Sequence, residues 1–447
     1  MSRLLVEGGI LIGLLHREDI RPSTDLYAED GTIRAVGTEA RSLAAGPGEP
    51  LERLDVRGKW VLPGFVQAHL HLCQTLLRNG PEDLELLAWL DRYIWPGEAA
   101  HDAETMAIAA RLGLAECLAA GVTAVLDMGT VRHCDALFRS AARAGVRYTG
   151  GNVLMDDPET TPANLRMPAQ EGLEETERLL RDWQGRERGR LRVAVQPRFA
   201  VGCTEQLLRQ AALFAVEKGL LIHTHASESR AEADRVRART GAGCVAYLDG
   251  VGLLTPATCL AHAVHTVASD WEILARRQTS VVHCPSSNMR LASGVCPVSE
   301  LRGAGVRVCL GSDGAACNNR LDPFREMLLA TFLPQTRRLP DRLSAFEALQ
   351  MATWEGSRAL HLAGEEGLVP GGRADLAILD PEAGWALPEG WSEDPCGTIV
   401  YSMGRENVFA TVVDGVVRYR AGDPSVGGLK PRPDEIRAAV ERLKSRM

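Results

Sequence analysis

Trp60-Val61-Leu62-Pro63-Gly64-Phe65-Val66-Gln67-Ala68-His69-Leu70-His71 is an apolar run that ends in two histidines, one residue apart. The run reads as a buried strand. Side chains on a strand alternate between faces, so residues two apart point the same way. Both imidazoles therefore leave one face near the end of the strand. Imidazole is the commonest side-chain metal ligand, and two at this spacing can share one ion.

Three later segments repeat the pattern. Leu221-Ile222-His223-Thr224-His225-Ala226-Ser227-Glu228 ends an apolar strand in histidines, with a carboxylate three residues after His225. Cys259-Leu260-Ala261-His262-Ala263-Val264-His265 is the second, and Val306-Arg307-Val308-Cys309-Leu310-Gly311-Ser312-Asp313-Gly314 the third. One histidine at a strand end is ordinarily structural. Four strand ends that agree point to a common site, and a (β/α)8 barrel gathers its functional residues at the carboxyl ends of its strands.

The rest of the chain suits that architecture. Between Gly64 and about Ala363, strands alternate with helices, as in Ala103 to Ala120 (helix) followed by Val122 to Met128 (strand). Such repetition predicts a parallel barrel, placed at 61–365. Residues 1–60 read as short strands broken at Glu29-Asp30-Gly31 and Gly46-Pro47-Gly48, and β character returns over 366–447. The expected fold class is α/β, a TIM-type barrel with a small β-sandwich domain formed by both termini. Asp434 to Met447 reads as an amphipathic helix with Ile436, Val440 and Leu443 on one face.

The 447 residues are 45% hydrophobic and 24% charged, with a net charge of -8, so the chain can bury a large core. No basic stripe stands out, which argues against nucleic acid as a partner. Ile10 to Leu15 is apolar but too short for a signal or a membrane span. The 11 cysteines are scattered without a C-x-x-C pair. These features predict a cytoplasmic protein with reduced thiols and no membrane partner.

Pro63 to His71, together with Gly367-Leu368-Val369-Pro370-Gly371-Gly372-Arg373-Ala374-Asp375-Leu376-Ala377, resembles the signatures of the amidohydrolase superfamily over nearly the whole chain. The branch it is similar to deaminates or hydrolyses nitrogen heterocycles. The resemblance implies one zinc per chain on His69, His71, His225 and Asp313, although iron(II) accepts such ligands too. The lysine that binuclear relatives carry has no counterpart in Val193 to Phe199. Glu228 resembles the proton-shuttling acid, with Asp313 accepting a proton from the attacking water. His262 resembles the histidine that contacts that water, and His283 one that faces substrate. A structural histidine beside a turn is the plain alternative for His283. His223 shares a face with His225, so geometry leaves it open as a ligand; the resemblance gives it no role, and it is read as structural.

The substrate reading is mixed. Gln74, Arg198 and Phe199 resemble the base contacts of guanine deaminases, and their chemistry agrees: an amide for a purine edge, a guanidinium for a carbonyl oxygen, a ring to stack. Trp95 and Glu98, in Ile94-Trp95-Pro96-Gly97-Glu98, resemble the lid of nucleoside deaminases, where the acid holds ribose hydroxyls. The lead expectation is deamination of a guanine-type aminopurine. The alternatives are an adenosine, methylthioadenosine or S-adenosylhomocysteine deaminase, or a triazine hydrolase. The expected partner is a small heterocyclic substrate, and the expected assembly a homodimer.

Overall fold

The apolar run at 60–71 is two strands in two different sheets. Trp60–Pro63 lies in one and Phe65–His71 in the other. They part at Gly64, whose N–H donates to the Asp375 carbonyl (2.9 Å) while the next N–H, of Phe65, donates to the Gly121 carbonyl (3.0 Å). A Cβ on Gly64 would stand 2.2 Å from the Thr123 side chain, so glycine suits the crossing. This corrects the reading of one strand. Both segments are buried throughout, so no polar residue marks the division.

The computed structural model describes residues 2–48, 50–336, 342–362, 364, 366–384 and 394–447. Within them, Phe65–His71, Val122–Asp127, Arg147–Gly150, Leu191–Pro197, Leu221–Ala226, Thr258–His262, Ser280–His283 and Val308–Leu310 lie side by side in chain order, every pair parallel. The short strand Asp313–Gly314 then pairs in parallel with Phe65–His71, with Asp313 opposite Leu70 and Gly314 opposite His71. The eighth strand segment thus meets the seventh through Val308–Leu310 and leads directly into the pairing with the first. This is the (β/α)8 arrangement the alternation predicts. Nearly every strand residue is buried, as expected where helices cover a parallel sheet.

Helix ends set where the strands begin. Glu205–Lys218 starts at Thr204, whose Oγ1 accepts from Leu207 N (3.2 Å), and stops at Gly219, which adopts φ 64°. Glycine enters that left-handed region without a Cβ penalty, so the chain reverses there and begins the fifth strand at Leu221.

The terminal segments build a second, eight-stranded sheet. Trp60–Pro63 is its link: it pairs in parallel with Arg3–Ile12 and antiparallel with Leu376–Leu379. Leu4, Val6, Leu26, Val61, Ile378 and Val412 meet in one buried cluster, so both chain ends share a core. Leu5 points the other way, with Tyr27, Ala40 and Ala44, against the helix Thr38–Ala44. That helix departs from the all-strand pattern expected of residues 1–60. Arg147, at the start of the third barrel strand, joins the two sheets by pairing with Asp375 (2.6 Å) and Asp414 (3.3 Å). Pro433–Lys444 is helical, with Ala439 and Leu443 buried and Ile436 and Val440 packed beside them. The first expected boundary, 60/61, falls within Trp60–Pro63; of the second, 365/366, position 365 lies outside the described residues. Among the described residues, no helix is long and apolar enough to cross a membrane.

Gly311 lies between the eighth strand and Asp313. A Cβ there would come 2.7 Å from the His69 carbonyl oxygen and 2.9 Å from its nitrogen, both backbone atoms. Gly311→Ala should therefore destabilise the fold by about 1–3 kcal/mol, as overpacking does. Denaturant unfolding measures it, and an unchanged midpoint would show that the first strand yields freely.

Candidate active site

Five strand-end side chains converge. His69 and His71 come from the first strand, His225 from the fifth, His262 from the sixth, and Asp313 from the strand paired with the first. Asp313 Oδ1 lies 3.3 Å from His69 Nε2 and 3.2 Å from His71 Nε2. His71 Nε2 is 3.3 Å from His225 Nε2. Ligands about 2.0–2.1 Å from one ion at tetrahedral angles stand roughly 3.3 Å apart. The spacing therefore fits a single small divalent ion, and the set of three imidazoles and a carboxylate suits zinc or iron(II). His69 Nε2 is buried with no hydrogen-bond partner, which an ion would remedy.

The rings are aimed from behind. His71 Nδ1 donates to the Met128 carbonyl (2.8 Å) and His225 Nδ1 to the Arg198 carbonyl (2.7 Å). A carbonyl only accepts, so both rings carry their proton on Nδ1 and turn the Nε2 lone pair into the cluster. His69 Nδ1 instead meets His223 Nε2 at 2.8 Å. Burial lowers the pKa of His69 to about 4 and that of His225 well below the usual range, which keeps both neutral, the form that binds metal.

The two acids next to this cluster differ sharply. Burial penalises the charge on Asp313, but the neighbouring His69 and His71 rings, 3.3 and 3.2 Å from its Oδ1, outweigh it and hold Asp313 well below the usual carboxylate range. Burial, reinforced by the charges of Asp313 and Glu232, pushes Glu228 well above it. Paired groups driven apart in this way suit one acid and one base. Ser287 Oγ donates to Asp313 Oδ2 (2.5 Å) and Gly314 N to Asp313 Oδ1 (2.7 Å), so both oxygens are oriented. Glu228 N donates to Glu232 Oε2 (2.7 Å). His262 Nε2 faces Glu228 Oε2 at 3.5 Å and Asp313 Oδ2 at 3.9 Å, and its Nδ1 donates to Asn288 Oδ1 (2.8 Å). Asp313, His262 and Ser227 all adopt positive φ (60°, 75° and 54°), a costly conformation that tight surroundings must impose.

A cavity opens onto this cluster. His71, His225, Glu228, His262 and Asp313 line it, and Leu86, Trp89, Leu90 and Phe199 give it an apolar part. Gln74 and Arg198 line it as well. Glu98 does not; it lies behind them, bonded to Arg198 Nη1 (2.5 Å) and Nη2 (3.1 Å) and to Gln74 Nε2 (3.0 Å). Two further expected contacts, Trp95 and His283, are buried but outside the cavity lining. Burial lowers the pKa of His283 to about 3. Leu86 had no chemistry to mark it in the sequence, and Ser287, four residues after His283, was given no role there.

Residues 60–418 match the Amidohydrolase family. The 5'-deoxyadenosine deaminase of Methanothermobacter thermautotrophicus is 39% identical over 386 residues, 85% of this chain and 86% of the relative. A 5-methylthioadenosine/S-adenosylhomocysteine deaminase of Haloarcula marismortui is 36% identical, over 94% of this chain and 93% of its own. Among solved structures, an adenosine deaminase from Xanthomonas campestris with bound zinc superposes with a TM-score of 0.88 at 27% identity, over 99% of both chains. E. coli guanine deaminase does so with 0.84 at 25% identity, over 94% of this chain and 100% of its own.

Purified without added metal, the protein should contain about one divalent ion per chain. Its removal by a chelator should lower the melting temperature, because an ion that binds only the folded state stabilises it. Elemental analysis with thermal unfolding checks both, and two tightly held ions per chain would contradict the site as drawn.

Proposed function

This chain belongs to the amidohydrolase family, and from that premise we propose that it deaminates an adenine nucleoside with a small apolar 5' substituent, releasing ammonia. The observation that carries the reading is the mixed lining of the cavity. Glu228, His262 and Asp313 offer proton-transfer chemistry, and Leu86, Trp89 and Leu90 offer apolar surface. An amine-bearing purine carbon suits the first, and a 5'-deoxy or 5'-methylthio end suits the second. A free base has no group for that apolar surface.

The charges support the same choice. Among the described residues, Arg198 is the only cation in the cavity lining, and Glu98 already compensates it. A substrate carboxylate, as on S-adenosylhomocysteine, would find no free cation there. Arg166 lies outside the lining and donates to the Pro158 carbonyl (3.4 Å). A guanine-type base remains the second reading, because Arg198 keeps unused N–H groups and Gln74 Oε1 is buried without a partner.

An ion held by His69, His71, His225 and Asp313 would acidify a water toward neutrality. The chain's own groups do the rest. His262, its proton committed to Asn288, accepts from the attacking water and orients it. Asp313 Oδ2 takes the water's proton as oxygen bonds to the ring carbon. Glu228, protonated beforehand by its surroundings, delivers its proton to the adjacent ring nitrogen. It then carries the proton from Asp313 to the amine; as the carbon–nitrogen bond breaks and ammonia leaves, Glu228 takes the remaining hydroxyl proton, and the ring keeps a carbonyl.

Glu228→Gln should retain the metal and lose turnover by a factor of about 100 or more. Metal content and kcat measured on one sample check it; loss of metal with full turnover per bound ion would make Glu228 a ligand.

The experiment that tests the substrate is kcat/KM for 5'-deoxyadenosine, methylthioadenosine, adenosine, S-adenosylhomocysteine and guanine. The first two should lead each of the others by about tenfold or more, the worth of one to two buried methylene groups. If guanine leads, the second reading replaces the first, with Arg198 and Gln74 on the base.

A further inference from the structure

We propose that His223 is a positioning residue for the candidate metal site, holding the ring of His69 so that its Nε2 faces the ion. The inference rests on the metal reading of that cluster but not on any choice of substrate.

His69 is the exception among the three imidazoles. The rings of His71 and His225 are held by backbone carbonyls, which the barrel fixes whatever side chains it carries. The ring of His69 depends on a side chain, His223 Nε2, at 2.8 Å from its Nδ1. If Nε2 of His69 is to offer a lone pair to an ion, its Nδ1 must carry the proton, and His223 is the acceptor in reach.

His223 itself is completely buried, outside the cavity lining and, among the described residues, outside the clusters whose ligand atoms converge. Its other nitrogen lies 3.4 Å from Gln196 Nε2, which donates to the Asp127 carbonyl (2.6 Å). A polar ring this deep is costly unless it is paired. Its short contact is with His69, so that contact is what the position provides. Partners of this kind aim a ligand, and their loss typically weakens metal binding by about 10–100-fold.

The test compares His223→Leu with His223→Gln in the full chain. The zinc dissociation constant is measured by competition with a chromophoric chelator, and the melting temperature of the metal-free protein is recorded alongside. Leucine should raise the dissociation constant by about 10–100-fold. Glutamine, whose Oε1 can accept from His69 Nδ1, should stay within a few-fold of wild type. The proposal is overturned if leucine binds zinc like wild type, or if glutamine binds as poorly as leucine, since the loss would then be one of shape. Should the leucine variant fail to fold, His223→Asn takes its place: its oxygen falls short of His69, and equal dissociation constants for Asn and Gln would likewise overturn the proposal. No substrate enters the measurement, so an error in the proposed reaction leaves its outcome untouched.

Discussion

The site depends on the pairing of Asp313–Gly314 with the first barrel strand. Asp313 lies opposite Leu70, between His69 and His71 in register. That single register sets one carboxylate oxygen 3.2–3.3 Å from two imidazoles. Repulsion from buried carboxylates, and burial itself, would otherwise favour a protonated acid. The histidines reverse that preference for Asp313, and Glu228, which lacks such partners, is left with the opposite one. The same enclosure thus produces a base and an acid, and the difference lies in what each one faces.

Conformational cost is concentrated in the same place. Asp313 and His262 both hold positive φ, where a side chain meets its own backbone. Gly311 leaves no room for a Cβ against His69. The backbone is spent on bringing these atoms together, and hydrogen bonds from Ser287 and Gly314 to Asp313, and from His262 to Asn288, keep them there.

Much of this was legible in the sequence because strand-end chemistry has a period. Alternation correctly put His69 and His71 on one face, and the repeated strand–helix pattern gave the barrel. Periodicity assigns a face but not a depth. His223 and His225 share a face, yet one reaches the cluster and the other stops behind His69. Pairing across the chain is equally invisible: nothing local says that Glu98 will be consumed by Arg198, 100 residues away. The break at Gly64 was hidden because both strands it separates are buried.

The link Trp60–Pro63 also orders events in time. A chain made from its amino end offers this strand its first neighbour, Arg3–Ile12, at once. Its other neighbour, Leu376–Leu379, is more than 300 residues later. The edge of Phe65–His71 likewise waits for Asp313–Gly314. Two apolar strands joined by one glycine therefore emerge early with open hydrogen-bonding edges, the kind of surface that recruits foreign strands. The nascent protein is most vulnerable over the interval in which its future site is half assembled, and shielding those edges is a task for whatever receives the growing chain.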